Sequence, residues 1–495
     1  MSTEKNSIKR VLLNSSLYSF SSILQKAIGF FLLPLYTAFL SPEEYGISGI
    51  VVSLTSVCAT VFTLSLNAAV TRFYYDYKEE EKKLAAFWGT IIVFVLVNSV
   101  LQAVLLISMR EFILTPFIEG VAFYPYILIG ILTVTVTPIY TIYKTILQTK
   151  QEALNHSVNT LLYFLVAVIL NVLFVVVFRW GAAGLLLSSM FTGILFAGLA
   201  VIRLLQRKLI VVCFRPEYLK AALKYSLPLL PHSLSGVIAA FVSGVLLNNK
   251  VSTASFGVVN LAFQFLNIIQ TLQLSVNTAY VPWSFDLMSR GREEHTRLIY
   301  FADLVHRSTC VINLAMALFI KEVIQLLINE SYLSAWTVIP VMLISCQISG
   351  IYYFYVNTLF YNKKAVRYIF LATLSGNLLS IFLSIGLTER LGMMTPAVVL
   401  VIEKTLTTTI VYFMSKKFEP VDFKIINMVV YVLVFLGVSG LGLIFDIIHP
   451  VGPIRFLVVI YKIIIFGIAT FFLMRKDLGT IRITATGLWA NFIKK

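Results

Sequence analysis

Residues 82–110 read KKLAAFWGTIIVFVLVNSVLQAVLLISMR. From Ala85 to Met109 no side chain ionises. At about 1.5 Å per residue, a helix of that length crosses a hydrocarbon core of about 30 Å. Two lysines close one end and a single arginine the other. Working outward, the pattern recurs. Some fourteen apolar stretches of about 20 residues run the length of the chain. The predicted spans are 14–39, 45–71, 85–109, 120–147, 154–178, 183–206, 228–249, 256–285, 298–320, 335–361, 367–388, 394–415, 424–447 and 454–474. The expected fold class is an all-α polytopic membrane protein.

The basic residues set the orientation. Alternate loops carry Lys82/Lys83, Lys144/Lys150, Arg203/Arg207/Lys208, Arg290/Arg292, Lys363/Lys364 and Lys416/Lys417, and with both ends they hold 29 Lys and Arg. The intervening loops hold only Arg110, Arg179, Lys250, Lys321, Arg390 and Arg455, six in all. Cytoplasmic loops are the Lys/Arg-rich ones, so both termini are expected on the cytoplasmic side and the number of spans is even. Residues 1–13 then form a cytoplasmic N-terminus and 475–495 a cytoplasmic tail. The run from Leu12 is too long for a signal peptide and lacks a small-x-small cleavage site, so it reads as a retained first span.

The composition excludes several classes. Of 495 residues 59% are hydrophobic and 13% charged, too little polar surface for a soluble core of this size. The formal charge of +16 is spread over loops between apolar spans, a membrane bias rather than a nucleic-acid patch. Cys58, Cys213, Cys310 and Cys346 stand alone in apolar sequence, so neither a disulfide framework nor a metal site is expected. No loop is long enough for a catalytic domain, and no phosphate-binding GxxxxGK[ST] run occurs. The longest cytoplasmic connection, 207–227, contains an amphipathic stretch, Pro216–Tyr225, expected on the membrane surface.

An internal repeat is visible. Tyr45-Gly46-Ile47 returns as Phe256-Gly257-Val258, and Leu64-Ser65-Leu66-Asn67 as Leu274-Ser275-Val276-Asn277. Six spans separate the copies, so they run the same way through the membrane, as in transporters built from two like bundles. Both spans carry a polar face. Ser53, Ser56, Thr60 and Asn67 recur at helical spacing in the second span; Asn260, Gln264, Asn267, Thr271 and Asn277 do so in the eighth. Small and amide side chains commonly join membrane helices. Several large amides on one face are harder to satisfy against hydrocarbon, and a hydrated cavity with sugar hydroxyls would satisfy them.

Charges inside spans cost roughly 2.5–3.5 kcal/mol each and need a reason. Lys26 sits mid-span beside Gln25, one turn after Ser22; Arg72 ends the second span's polar stripe; Glu403 and Lys404 lie mid-span, as does Lys462. Asp303 and Arg307 are spaced as an i,i+4 charge pair, with His306 between them. Lys26, Arg72 and Lys404 are the candidate cations for an anionic substrate. His156 and His232 fall at span starts and read as interfacial.

These residues resemble a known family. Phe31-Leu32-Leu33-Pro34-Leu35-Tyr36, Ser41-Pro42-Glu43-Glu44-Tyr45-Gly46 and Asn67-Ala68-Ala69-Val70-Thr71-Arg72-Phe73-Tyr74 are similar to the opening of the Wzx-type oligosaccharide flippases. These form the polysaccharide-transport branch of the multidrug/oligosaccharidyl-lipid/polysaccharide (MOP) superfamily. Ser226-Leu227-Pro228-Leu229-Leu230-Pro231 resembles the start of that family's second bundle. The resemblance implies two six-helix bundles, here 14–206 and 228–415, in a V around a central cavity, with two further helices in 424–474. It implies alternating access in the bacterial cytoplasmic membrane, moving undecaprenyl-diphosphate-linked oligosaccharide outward for O-antigen, capsule or exopolysaccharide. It implies no cofactor, allows coupling to an ion gradient, and makes polymerase and chain-length proteins candidate partners beside the bilayer. One departure is that relatives often carry an Asp-Arg pair in the seventh span, where this chain has Ser243-Gly244-Val245. The rival readings are a drug/cation antiporter of the same superfamily, which would favour buried carboxylates, and a membrane polymerase or ligase, which would need a long charged outer loop.

Overall fold

The computed structural model describes residues 21, 24–26, 28–362, 364–418, 421–449 and 456–475. The segment 1–13, Ser22, Lys363 and the tail beyond Arg475 lie outside them. The described residues are almost wholly helical, with no strand among them. Twelve helical segments are long and apolar enough to cross a membrane. One of these, Ile369–Phe418, holds two helices joined by a short turn at Gly392–Met394, and a shorter apolar helix runs Leu24–Phe39.

In chain order the main helices are α1 (Leu33–Phe39), α2 (Pro42–Thr63), α3 (Leu66–Tyr77), α4 (Glu81–Ser108), α5 (Leu128–Thr149), α6 (Ala153–Asn171), α7 (Gly181–Gln206) and α8 (Pro216–Ser226). They continue with α9 (Leu230–Lys250), α10 (Thr253–Ser289), α11 (His295–Leu327), α12 (Ala335–Tyr361), α13 (Ile369–Leu391), α14 (Thr395–Phe418), α15 (Ile425–Gly442) and α16 (Phe456–Met474). The start of α2 shows how locally these elements are encoded. Ser41 Oγ accepts from Glu44 N at 3.2 Å, and the Glu44 carboxylate accepts from Ser41 N at 2.9 Å. Pro42, which has no N–H to satisfy, takes the first helical position.

The chain divides into two compact units. The first comprises residues 1–264 and 377–396, the second 265–376 and 397–495. In the first, Phe87, Trp88, Tyr140, Tyr143 and Phe196 form a buried aromatic core, with Tyr140 stacked on Tyr163 at 5.0 Å. α8 belongs to this core as well. Its Tyr218, Ala222 and Ser226 are buried against α3 and α4, so the amphipathic stretch covers protein on one face rather than resting on lipid alone. In the second unit, Tyr280, Phe354, Tyr355 and Phe423 make an equivalent core. Large apolar side chains such as Leu101, Phe382, Leu433 and Phe456 stay exposed, as hydrocarbon-facing surfaces require.

Candidate functional site

The two copies of the repeated motif meet inside the first unit. α2 and the start of α10 cross so closely that a Cβ on Gly46 would strike the Thr253 carbonyl. A Cβ on Gly257 would likewise strike the Pro42 carbonyl. Each of these glycines also faces the other's backbone nitrogen, and Gly46 and Gly257 stand 211 positions apart, the offset that relates the motifs. One turn on, Asn260 Nδ2 lies 2.7 Å from where a Cβ on Gly49 would sit, and the Gln264 side chain hydrogen-bonds Tyr45. Asn260 and Gln264 therefore have helix-packing partners.

The polar stripe of the second span divides differently. Ser56 Oγ and Thr60 Oγ1 donate to carbonyls one turn back, Val52 O and Ser56 O, while Ser53 is half-buried. The predicted single span 45–71 is two helices. Leu64 and Ser65 adopt left-handed conformations, with φ of 47° and 57°, and break the helix between α2 and α3. A break at this depth frees backbone carbonyls. Asn98 of α4 donates Nδ2 to one of them, Phe62 O, at 2.7 Å, and Ser65 Oγ bonds Ser233 Oγ at 2.9 Å. Asn67 follows the break, and its Oδ1 is buried with no partner among the described residues.

The three candidate cations separate clearly. Arg72 holds Asp76 at 2.6 Å, and Lys404 holds its neighbour Glu403 at 3.1 Å, with Thr407 also donating to that carboxylate. Lys26 is exposed on its helix and has no ion-pair or hydrogen-bond partner among the described residues. Beside it Gln25 is fixed, donating Nε2 to Thr160 O at 2.7 Å.

In the second unit, Asn267 and Thr271 are half-buried on α10, Thr271 bonding back to Asn267 O. Asn277 accepts from Asn357 Nδ2 at 2.7 Å. Gln273 donates to Cys346 O and, with Asn277 and His306, helps to line a cavity of about 230 Å³. Asp303 and Arg307 are indeed paired, at 2.9 Å. Tyr431 donates to Asp303, and Arg307 donates to Leu473 O. Together they tie α11 to α15 and α16.

Two networks were not foreseen from sequence. Buried Lys462 contacts Glu322 at 2.5 Å and Asp446 at 2.6 Å, while Lys321 contacts Asp446 at 3.3 Å and lies over the Trp336 ring. Lys321, counted among the outer-loop charges, is 6% exposed. The adjacency of Lys321 and Glu322 at the end of one span, with Asp446 at the end of another, was the available signal. The second network runs Asn313 to Gln347 at 2.9 Å and Gln347 to His306, whose Nε2 faces Met428 O at 3.3 Å. Gln347 Nε2, which can only donate, faces the same His306 nitrogen at 3.2 Å, so the carbonyl and the amide call for opposite tautomers of this ring.

Comparison with known proteins adds the following. The model of a family described as "Polysaccharide biosynthesis protein" matches residues 11–288. No curated protein matches the chain. Among solved structures, it resembles the lipid II flippase MurJ in an inward closed conformation, with a TM-score of 0.68 at 17% identity over 94% of this chain and 99% of that one. An inward-facing multidrug resistance MATE family transporter of the MOP superfamily gives 0.60 at 14% identity over 78% and 93%. A MOP superfamily transporter from Pyrococcus furiosus gives 0.54 at 13% identity over 82% and 95%. At such identities the likeness shows a shared fold, and the proteins that share it are membrane transporters.

Proposed function

Since the chain belongs to the polysaccharide biosynthesis protein family, we propose that it moves a lipid-linked oligosaccharide across the cytoplasmic membrane of a bacterium. The family match over residues 11–288 carries this reading, and Lys26, without an ion-pair partner among the described residues, supports it. A diphosphate that links glycan to lipid brings negative charge into a medium where an uncompensated ion is costly. Among the described residues no carboxylate neutralises Lys26, whereas Arg72 and Lys404 each face one. Within the first unit Ser53 and Asn67 are the proposed contacts for sugar hydroxyls, within the second Asn267 is, and the hydrocarbon-facing surfaces leave the lipid chain in the bilayer. The chain supplies no covalent chemistry in this reading; it binds, changes access and releases. An ion gradient is the proposed energy source, and the polymerase and chain-length proteins of a surface-polysaccharide pathway are the proposed partners.

Deletion tests the reading. Lipid-linked repeat units should accumulate on the cytoplasmic leaflet and surface polymer should fall. Unchanged polymer with altered export of dyes or drugs would replace it with the antiporter.

A further inference from the structure

The segment joining α4 to α5, residues 110–127, folds back on itself around an open cavity of about 670 Å³. This volume lies within the roughly 300–1,000 Å³ of small-molecule sites. The charge alternation of the loops puts this segment on the outer side of the membrane. Its polar lining is Arg110, Glu111, Thr115 and Glu119, and Tyr124 supplies an aromatic wall that is 58% exposed.

Arg110 does not serve as an anion trap. Its guanidinium lies over both the Phe123 and Tyr124 rings at 5.0 Å, and its Nε meets Glu111 at 3.0 Å. Counting Glu119, one cation stands against two carboxylates, so a phosphate or an acidic headgroup is repelled. The cation at the adjoining end of α9, Lys250, is taken by Glu389 at 2.6 Å. Carboxylates with no spare cation are acceptors for hydroxyl or ammonium donors. Arg110 covers one face of the Tyr124 ring, and the rest of that exposed side chain suits the C–H-rich face of a sugar ring.

The pouch is also held in shape. Asn249 of α9 accepts from Glu119 N at 3.1 Å and donates to Phe117 O at 2.8 Å, while Asn248 donates to Glu119 O at 2.7 Å. A loop pinned through its backbone leaves less ordering for a ligand to impose.

We propose that this pouch is a saccharide-binding site on the outer face, selective for neutral or amino sugars over acidic ones. It would receive the glycan as it emerges. The inference rests on the glycan reading above, and the experiment separates the two. The purified full chain in nanodiscs is dialysed against tritiated N-acetylglucosamine, glucosamine or glucuronate. The first two should bind saturably and glucuronate about fivefold more weakly. Tyr124→Ala and Glu119→Gln should each weaken binding about fivefold. Phe112→Ala, at a neighbouring residue 79% exposed and outside the lining, should not change it. Thermal melting checks that the variants are folded. Absence of saturable binding, a preference for glucuronate, or full binding by Tyr124→Ala overturns the proposal. Sugar binding without glycolipid movement would remove the transport reading and leave the pouch; glycolipid movement without sugar binding would do the reverse.

Discussion

Lys26 and Lys462 show how one residue type has opposite consequences. Lys462 is fully buried between Glu322 and Asp446. Removing one partner of a buried ion network strands the others, at a cost of about 3–5 kcal/mol. Lys462→Ala should therefore lower the melting temperature in detergent markedly, and an unchanged melt would show the network to be energetically idle. Lys26 has no such partner among the described residues. Lys26→Ala should leave accumulation and melting unaltered or improved while transport falls severely, and Lys26→Arg should keep part of the activity because charge is retained. Surface-polymer restoration in a deletion strain, normalised to protein level, reads this out; full restoration by Lys26→Ala would shift attention to Lys404 or Arg72. A third residue gives a pH dependence. Burial alone would raise the pKa of Glu152, but hydrogen bonds from Arg207 and Asn155 outweigh it and hold the carboxyl below its ordinary value. Its stabilising contribution is then fully present above the ordinary carboxylate pKa and is lost as pH falls through the lowered one. Wild type should thus lose its stability advantage over Glu152→Gln on acidification, whereas a pH-independent gap would refute the assignment.

At the scale of elements, the crossing of α2 and α10 depends on hydrogen where other residues carry carbon. A side chain at Gly257 must displace the Pro42 backbone, which cannot give as a flexible side chain would. Gly257→Val is expected to destabilise by at least the roughly 1–3 kcal/mol of ordinary overpacking. Gly437 of α15, where an added Cβ meets nothing within 4 Å, is the control: Gly437→Ala should be neutral or slightly stabilising. Equal melting temperatures for the two variants would contradict the crossing. The break between α2 and α3 is a different device. Leu64 occupies a backbone region that costs an L-residue roughly 1–2 kcal/mol and glycine almost nothing.

For the whole molecule, the test is topological. In a chain freed of its four cysteines, a single cysteine at Glu43 should react with an impermeant thiol reagent on intact cells. Cysteines at Lys82 or Lys417 should not. Reaction at Lys82 from outside would overturn the orientation and, with it, the outer placement of the pouch. Much of this scale was legible in the sequence, because the bilayer imposes its rule on every residue of a span: apolar length and flanking charge follow from solvation alone. The helical class and the Asp303–Arg307 pair were readable for the same reason, each being local in the chain. What the sequence could not decide was contact between distant residues. Leu64-Ser65-Leu66-Asn67 and Leu274-Ser275-Val276-Asn277 are near copies, yet the first is broken and the second lies inside the unbroken α10. The first copy has Asn98 of another helix to receive a freed carbonyl and Ser233 to meet Ser65, whereas Ser275 simply donates to Thr271 O within its own helix. Local sequence made both segments apolar helices with a polar face. Tertiary partners decided which one breaks, because a backbone group freed inside a membrane persists only where the fold brings it a new hydrogen-bond partner.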